Sequence, residues 1–212
     1  MGIAERRERE KEKRKNDIID AAENVFFTKG LEESTMDDVA AMAELSKGTL
    51  YLYFKSKEEL YLAIHLRGTR ILRDMFAEAV NTTKNGLEKT QAIGKSYFEY
   101  YNKYPDYFNA MIYYESRNIN FKEDNSVARQ CMLLGTETLE ILAGAIQNGI
   151  EDGSIRPAID PRKTAVSLWG QTTGIIQIIV LKENILKESL NLTAKEIIDY
   201  TFELIYYSLK SD

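Results

Sequence analysis

The sequence predicts an all-α protein of about nine helices. Three observations lead there. Apolar residues recur at helical spacing in nearly every segment, and no run shows the period-two alternation of a half-buried strand. Glycine and proline together number only 15 of 212 residues. All three prolines (Pro105, Pro157, Pro161) lie beyond residue 100, so nothing of that kind interrupts the first half.

The elements follow in order. Ile18, Ala22, Val25 and Phe26 take an i, i+4, i+7, i+8 spacing, and Gly30 supplies a stop. Met36, Val39, Ala40 and Ala43 mark a short second helix, with Thr35 placed to cap it and Asp37 and Asp38 in its first turn. A third short helix covers about 47–53, with Leu50 and Phe54 on one face. Ser56 caps a long helix through Leu60, Ile64, Ile71 and Met75. Helices follow at about 87–103 and 105–116, the second opened by Pro105. After a loop at about 118–125, a long helix runs from about 126 to 152 and stops at Gly153. Pro157 and Pro161 bracket the approach to helix 162–183, and a last helix at about 193–210 carries Ile197, Thr201, Ile205 and Leu209 on one stripe.

Composition excludes several functions. At 44% hydrophobic residues the chain is not disordered. One cysteine (Cys131) permits no internal disulfide or thiolate metal cluster, and one histidine (His65) excludes a His-rich zinc site. A nucleophilic triad would have to run through His65 alone; carboxylate chemistry stays open on counting grounds, but no enzyme is expected, and no metal or cofactor. The charged stretch Met1 to Lys15 is unlike a signal peptide, so a cytoplasmic setting is expected. Thr164 to Leu181 is 18 residues without a charge. Its Ser167, Gln171, Thr172, Thr173 and Gln177 speak for a helix covered by protein, not lipid. The balance of 33 acidic against 28 basic residues runs against a nucleic-acid partner, because duplex affinity comes largely from cations on phosphates.

The amino-terminal helices answer that objection. Three helices, with a tight Glu44-Leu45-Ser46 connection between the last two, have helix-turn-helix proportions. In such a motif the second helix of the pair enters the major groove amino end first. Here Ser46 caps that helix, Lys47 brings a cation, Gly48 removes a side chain where base edges come closest, and Thr49 offers a hydroxyl and a methyl. The hydroxyls of Tyr51 and Tyr53 can reach phosphate, although aromatic residues at such spacing also serve a core. From Ser46 to Lys57 there are three lysines and no acid. Residues 1–15 hold seven basic and four acidic groups and read either as a solvated extension of the first helix or as a basic arm.

Phe27-x-x-Gly30, then Ser34-Thr35-Met36-x-x-Val39-Ala40-x-x-Ala43, then Ser46-Lys47-Gly48-Thr49-Leu50-Tyr51-x-Tyr53-Phe54-x-Ser56-Lys57-Glu58-Glu59-Leu60 resembles the DNA-binding module of the TetR family of bacterial transcription regulators. The resemblance spans about residues 16–62. It implies that Thr35, Tyr51, Tyr53 and Lys57 hold phosphates while Lys47, Gly48 and Thr49 face bases. The family usually carries glycine where this chain has Glu44, a position suited to left-handed backbone that would strain another residue by roughly 1–2 kcal/mol. It further implies six more helices, an effector site among the central ones, and dimerisation through the last two.

The residues suit that plan. Gly170 and Gly174 allow close helix approach, and a helix at 162–183 with no charge from Thr164 to Leu181 needs cover from its own chain or a second copy. Seven of thirteen tyrosines fall between Tyr97 and Tyr114, either as core or as the lining of a ligand site. Candidate effector contacts are Tyr97, Tyr101, Phe108, Met111, Tyr114, Arg117, Trp169 and Thr173, for a small, apolar or aromatic molecule. Glu115 or Arg117 would complement a cationic or anionic effector. Cys131 and His65 read as ordinary packed or hydrogen-bonded residues. The expected protein has a DNA-binding domain at 1–55 and an effector and dimerisation domain at 56–212. It acts as a homodimer, through helices 162–183 and 193–210, on a palindromic double-stranded operator. Repression relieved by the effector is the first reading; activation, or DNA binding without a ligand, is the alternative.

Overall fold

The structure, a computed structural model, describes residues 2–115 and 127–211, with the side chains of Ile3 and Glu115 left aside. Arg117 and the loop expected at 118–125 lie outside these residues. The described residues form α1 (Ile3–Lys29), α2 (Met36–Met42), α3 (Lys47–Tyr53), α4 (Lys57–Asn81), α5 (Gly86–Lys103), α6 (Pro105–Glu115), α7 (Val127–Glu151), α8 (Pro161–Asn184) and α9 (Ala194–Leu209). The fold is all-α, as the periodicity predicts; an isolated antiparallel bridge joins Ile155 to Lys210 among the described residues. The basic residues 3–15 are the amino-terminal half of α1, continuous with its packed half.

Capping sets the boundaries. Thr35 accepts the Asp38 amide while the Asp38 carboxylate accepts the Thr35 amide, a reciprocal box that starts α2. Ser46 starts α3 by accepting the Thr49 amide at 3.1 Å, and Ser56 serves α4 through the Glu59 amide at 3.1 Å. Asn85, Asp160 and Thr193 cap α5, α8 and α9 in the same way.

The chain divides into two compact units. One comprises Met1–Gly68 with Asp106–Met132, the other Thr69–Pro105 with Leu133–Asp212. The first therefore adds the start of α4, most of α6 and the start of α7 to the three amino-terminal helices, where the sequence places a division at residue 55. Its core contains Ile18, Ala22, Val25 and Phe26 of α1, Met36, Val39 and Ala40 of α2, Leu50 and Phe54 around α3, and Leu60 and Ile64 of α4. Leu50 and Phe54 are fully buried, worth about 1.5–3 kcal/mol each in apolar burial.

In the second unit the buried stripe of α4 passes to Leu72 and Phe76, one residue beyond the expected Ile71 and Met75. Helical geometry keeps Ile71 and Met75 nearer the face of Leu60 than Leu72 and Phe76, so the shift comes from packing: Phe76 is the residue that meets the Tyr97 ring edge-on. The amino end of α5 crosses α7 at contact distance. A Cβ on Gly86 would fall 1.9 Å from the Gly149 amide nitrogen, and one on Gly149 would fall 2.5 Å from Cδ1 of Ile155. The Gly86 amide donates to Asp152 Oδ2 at 2.7 Å and the Leu87 amide to Ser154 Oγ at 3.1 Å, so the close crossing is hydrogen-bonded as well as packed.

Helix α8 buries a single stripe of Ala165, Leu168, Thr172 and Ile176. Val166, Trp169, Ile178, Val180 and Leu181 stay exposed, joined by Tyr200, Leu204 and Tyr207 of α9. The described residues thus leave this face of α8 uncovered. Among the described residues, 161–189 is the stretch long and apolar enough to cross a membrane by length and composition. The helix kinks at Lys182 (φ −125°, ψ 19°) and ends in a π-turn at Ile185–Ser189.

Candidate nucleic-acid interface

Helices α2 and α3 are joined by a four-residue turn closed by the Glu44 amide on the Ala41 carbonyl (3.2 Å) and the Leu45 amide on the Ala40 carbonyl (2.9 Å). This geometry requires left-handed backbone at its centre. Glu44 supplies it at φ 53°, one of two positive-φ non-glycine residues among those described. The family-like glycine position is therefore occupied by a residue with a Cβ in the same conformation, and the carboxylate stands exposed beside the reading helix.

Helix α3 presents two faces. Leu50 and Phe54 point into the core, whereas Ser46, Lys47 and Gly48 are exposed and Thr49, Tyr51 and Tyr53 half-buried. The Ser46 and Thr49 hydroxyls are hydrogen-bonded to one another at 2.8 Å, which fixes both at the amino end of the helix. A Cβ on Gly48 would meet only Ser46 Oγ at 3.9 Å. Nothing in the surrounding protein demands glycine there, although glycine inside a helix costs about 0.8–1 kcal/mol relative to alanine. Leu52 is 76% exposed between the two tyrosines, a surface residue that helical spacing does not single out. Its signal was an apolar side chain lying off the Leu50–Phe54 stripe. A base-facing apolar group of this kind can meet a thymine methyl.

The cations near this face already have partners. Lys47 pairs with Asp37 at 2.8 Å, and that hydrogen bond and charge raise the ammonium above the ordinary lysine range. Lys29 pairs with Asp38 at 2.6 Å; Lys29 and then the Thr35 hydroxyl and amide hold the Asp38 carboxyl down at about 2. The Thr35 hydroxyl donates to Asp38 at 2.8 Å, so its proton must change partner before it can serve a phosphate. Lys55 reaches back to the Tyr51 carbonyl at 2.9 Å. Lys57 is half-buried, with its ammonium on the carbonyls of Leu31, Ser34 and Glu32.

Behind the reading helices lies a charged node. Arg67 of α4 pairs with Asp20 at 2.6 Å and Glu23 at 2.8 Å, both on α1, and the Tyr107 hydroxyl of α6 donates to Glu23 at 2.7 Å. Burial pushes the Glu23 carboxyl above its usual range, against the pull of Tyr107 and Arg67. His65 stacks on Tyr114, and burial lowers its imidazole to about 4. The lone Cys131 is buried, with its thiol on the Leu62 carbonyl at 3.7 Å, the packed role expected of it.

The aromatic segment divides between the two units. In the second, Tyr97 is buried with its hydroxyl 2.9 Å from Thr173 Oγ1, Phe98 packs on Phe202, and Tyr101 is half-buried. In the first, Phe108, Met111 and Tyr114 are buried, and the Tyr114 hydroxyl donates to the Glu58 carbonyl. Trp169, at 39% exposure, lies off the buried stripe of α8, on the helix's open face. An open depression of about 450 Å³ between α7 and the start of α8, lined by Glu140, Ala143, Gly144, Gln147, Asp160, Pro161 and Arg162, includes none of the candidate effector residues. Among the described residues no group of acidic, histidine or cysteine side chains is arranged to hold a metal.

Comparison with known proteins bears on this geometry. Residues 18–64 match the family described as bacterial regulatory proteins, tetR family. The chain is 29% identical over 153 residues to the regulator YhgD of Bacillus subtilis, covering 72% of this chain and 76% of that one. It is 29% identical over 147 residues to the transcriptional repressor KstR2 of Rhodococcus jostii, with 69% and 70% covered. In fold it resembles the transcriptional regulator FadR of Bacillus subtilis in complex with stearoyl-CoA (TM-score 0.69, 21% identity, 91% and 97% covered). It also resembles AibR in complex with isovaleryl coenzyme A and operator DNA (TM-score 0.64, 20% identity, 90% and 97% covered).

Proposed function

This chain belongs to the TetR family of DNA-binding transcription regulators, and from that premise we propose that it is a dimeric repressor released from a palindromic operator by an acyl-coenzyme A. The observation that carries the DNA reading is α3 itself: it turns Leu50 and Phe54 inward and offers Lys47, an unrequired Gly48, Thr49 and Tyr51 outward. In this reading Lys47, Gly48, Thr49 and Leu52 meet base edges. Thr35, Tyr51 and Tyr53 meet phosphates, and Ser46 holds the helix start. Two reading helices need half-sites about 34–36 Å apart, and hence two copies.

The open face of α8 and α9 supports the second copy. Trp169, Leu181, Leu204 and Tyr207 are exposed in one chain, and a Cβ on Gly170 or Gly174 would touch nothing within 4 Å. Pairing by twofold symmetry would cover this face. A Cβ at Gly174 meets open space, so Gly174→Leu should leave the single chain folded and break the dimer, read by sedimentation-velocity ultracentrifugation; a folded dimer that survives Gly174→Leu refutes the placement. An acyl thioester is the first candidate effector because the FadR and AibR structures hold stearoyl-CoA and isovaleryl coenzyme A. Tyr97, Tyr101 and Thr173, all in the second unit, are the contacts proposed for it.

The test is selection of duplexes from a random pool by the purified protein, followed by titration of the selected DNA with acyl-CoAs of increasing chain length. A palindrome whose affinity falls at least about tenfold, or about 1.4 kcal/mol, with one of them is the expected result. Equal affinity with every acyl-CoA removes the effector assignment, and failure to enrich any sequence removes the operator. A footprint lying upstream of the promoter, not over it, would turn repression into activation.

A further inference from the structure

Lys57 occupies a position that its own helix does not favour. It is the first residue of α4, where the unpaired amides and the helix dipole disfavour a cation, and Glu58 and Glu59 beside it are the side chains that suit the place. The loop across from it explains the exception. Helix α1 ends at Lys29, Gly30 turns away at φ 84°, and the chain runs through Leu31–Ser34 before Thr35 starts α2. The carbonyls of this turn lie just past the negative end of a 27-residue helix. Three of them converge on one atom: Lys57 Nζ donates to Leu31 O at 2.7 Å, to Ser34 O at 3.0 Å and to Glu32 O at 3.3 Å. An ammonium has three N–H donors, and all three are engaged inside the protein. A phosphate could take one only by breaking a charge-assisted bond already made.

We propose that Lys57 is a positioning residue that clamps the α1–α2 turn and thereby seats α2 under the reading helix, and that it does not contact the DNA. The clamp joins residues more than twenty positions apart, so it ties the start of α4 to the start of α2. The Lys29–Asp38 and Lys47–Asp37 pairs anchor α2 at points further along. The consequence for DNA affinity rests on the regulator reading above; the clamp itself does not.

Two variants separate the roles. Lys57→Met removes charge and donors. Lys57→Arg keeps the charge but replaces a point donor by a planar fork that cannot converge on three carbonyls. Hydrogen exchange of the full-length, DNA-free protein reads the clamp: both variants should exchange the Ser34 and Thr35 amides, which donate to Leu31 O and to Asp38, at least about tenfold faster than the unaltered chain. Affinity for a fluorescein-labelled duplex selected by the unaltered protein from a random pool reads the DNA role, measured from roughly 50 to 200 mM salt. Both variants should bind more weakly with the same dependence of log K on log salt. A Lys57→Met slope shallower by about 0.9, with Lys57→Arg binding normally, marks a phosphate contact and overturns the proposal. Unchanged exchange in both variants also overturns it. If the unaltered protein selects no duplex, the regulator reading falls and the exchange measurement alone decides the clamp. Should Lys57→Met not fold, Lys57→Gln, which keeps an amide donor, takes its place.

Discussion

Glu44→Gly should make this protein more stable while deleting a side chain from its surface. At φ 53° the Glu44 Cβ crowds the following carbonyl, a cost of roughly 1–2 kcal/mol that glycine does not bear. Against this, glycine gives the unfolded chain more freedom, worth about 0.4–1 kcal/mol. The difference leaves a net gain of about 0.5–1 kcal/mol, or about 1–4 °C in Tm for a chain of this length. Calorimetry on the unaltered protein, Glu44→Gly and Glu44→Ala decides the cause. Alanine removes the same carboxylate but keeps the Cβ, so it should leave Tm nearly unchanged. If Glu44→Ala raises Tm as much as Glu44→Gly, the gain comes from removing charge and the backbone argument is wrong. DNA affinity gives the complementary reading: both variants remove an anion beside α3, so both should bind the selected operator more tightly at low salt, and by similar factors.

Gly48→Ala should stabilise the fold by up to about 1 kcal/mol in urea titrations, because the added methyl meets open space, yet weaken operator binding measured by anisotropy. Unaltered binding would show that no base edge or backbone approaches that position. His65→Gln should flatten the dependence of stability on acid. The imidazole is neutral in the fold down to about pH 4 but takes up a proton near pH 6.5 when unfolded, so stability falls as pH drops between these values, by roughly 2–3 kcal/mol in all. Urea midpoints of the two proteins that run parallel from pH 7 to about pH 4 would refute this component. Tyr107→Phe removes the 2.7 Å hydrogen bond to the half-buried Glu23 and should cost about 1–2 kcal/mol, lowering Tm by about 2–8 °C; an unchanged Tm would show that solvent replaces the hydroxyl at no cost.

Local sequence made the helices legible because their signals are local. Apolar spacing and capping residues act within one or two turns, and Thr35, Ser46, Ser56, Asp160 and Thr193 all stand where such signals apply. The left-handed backbone at Glu44 follows only from the family resemblance, which places glycine at that turn; the local residues do not mark it. What the sequence hid depends on partners distant along the chain. The engagement of Lys57 with carbonyls more than twenty residues back has no periodic trace, and a lysine among lysines reads as one more phosphate contact. Tyr107 looked like part of one aromatic cluster, but its hydroxyl belongs to Glu23 on α1. Trp169 and Thr173, four residues apart, share a face by helical spacing, yet Trp169 lies on the open side because the buried stripe passes through Leu168 and Thr172 instead. Leu52 has no trace in the spacing because an apolar side chain left exposed takes part in no buried stripe.

The crossing of α5 on α7 restricts how this sequence can diverge. Even one methyl at Gly86 would overlap the backbone at Gly149, and one at Gly149 would overlap the side chain of Ile155. Backbone has no rotamer to change, so Gly86 has no permissible single replacement, whereas Gly149 gains one only if Ile155 first becomes smaller. Libraries randomised at 86, 149 and 155 and sorted for folded protein should therefore return glycine at 86 throughout, and larger residues at 149 only in chains that have already lost bulk at 155. The order in which these changes are reachable is fixed by the contact itself, whatever DNA or ligand the protein serves.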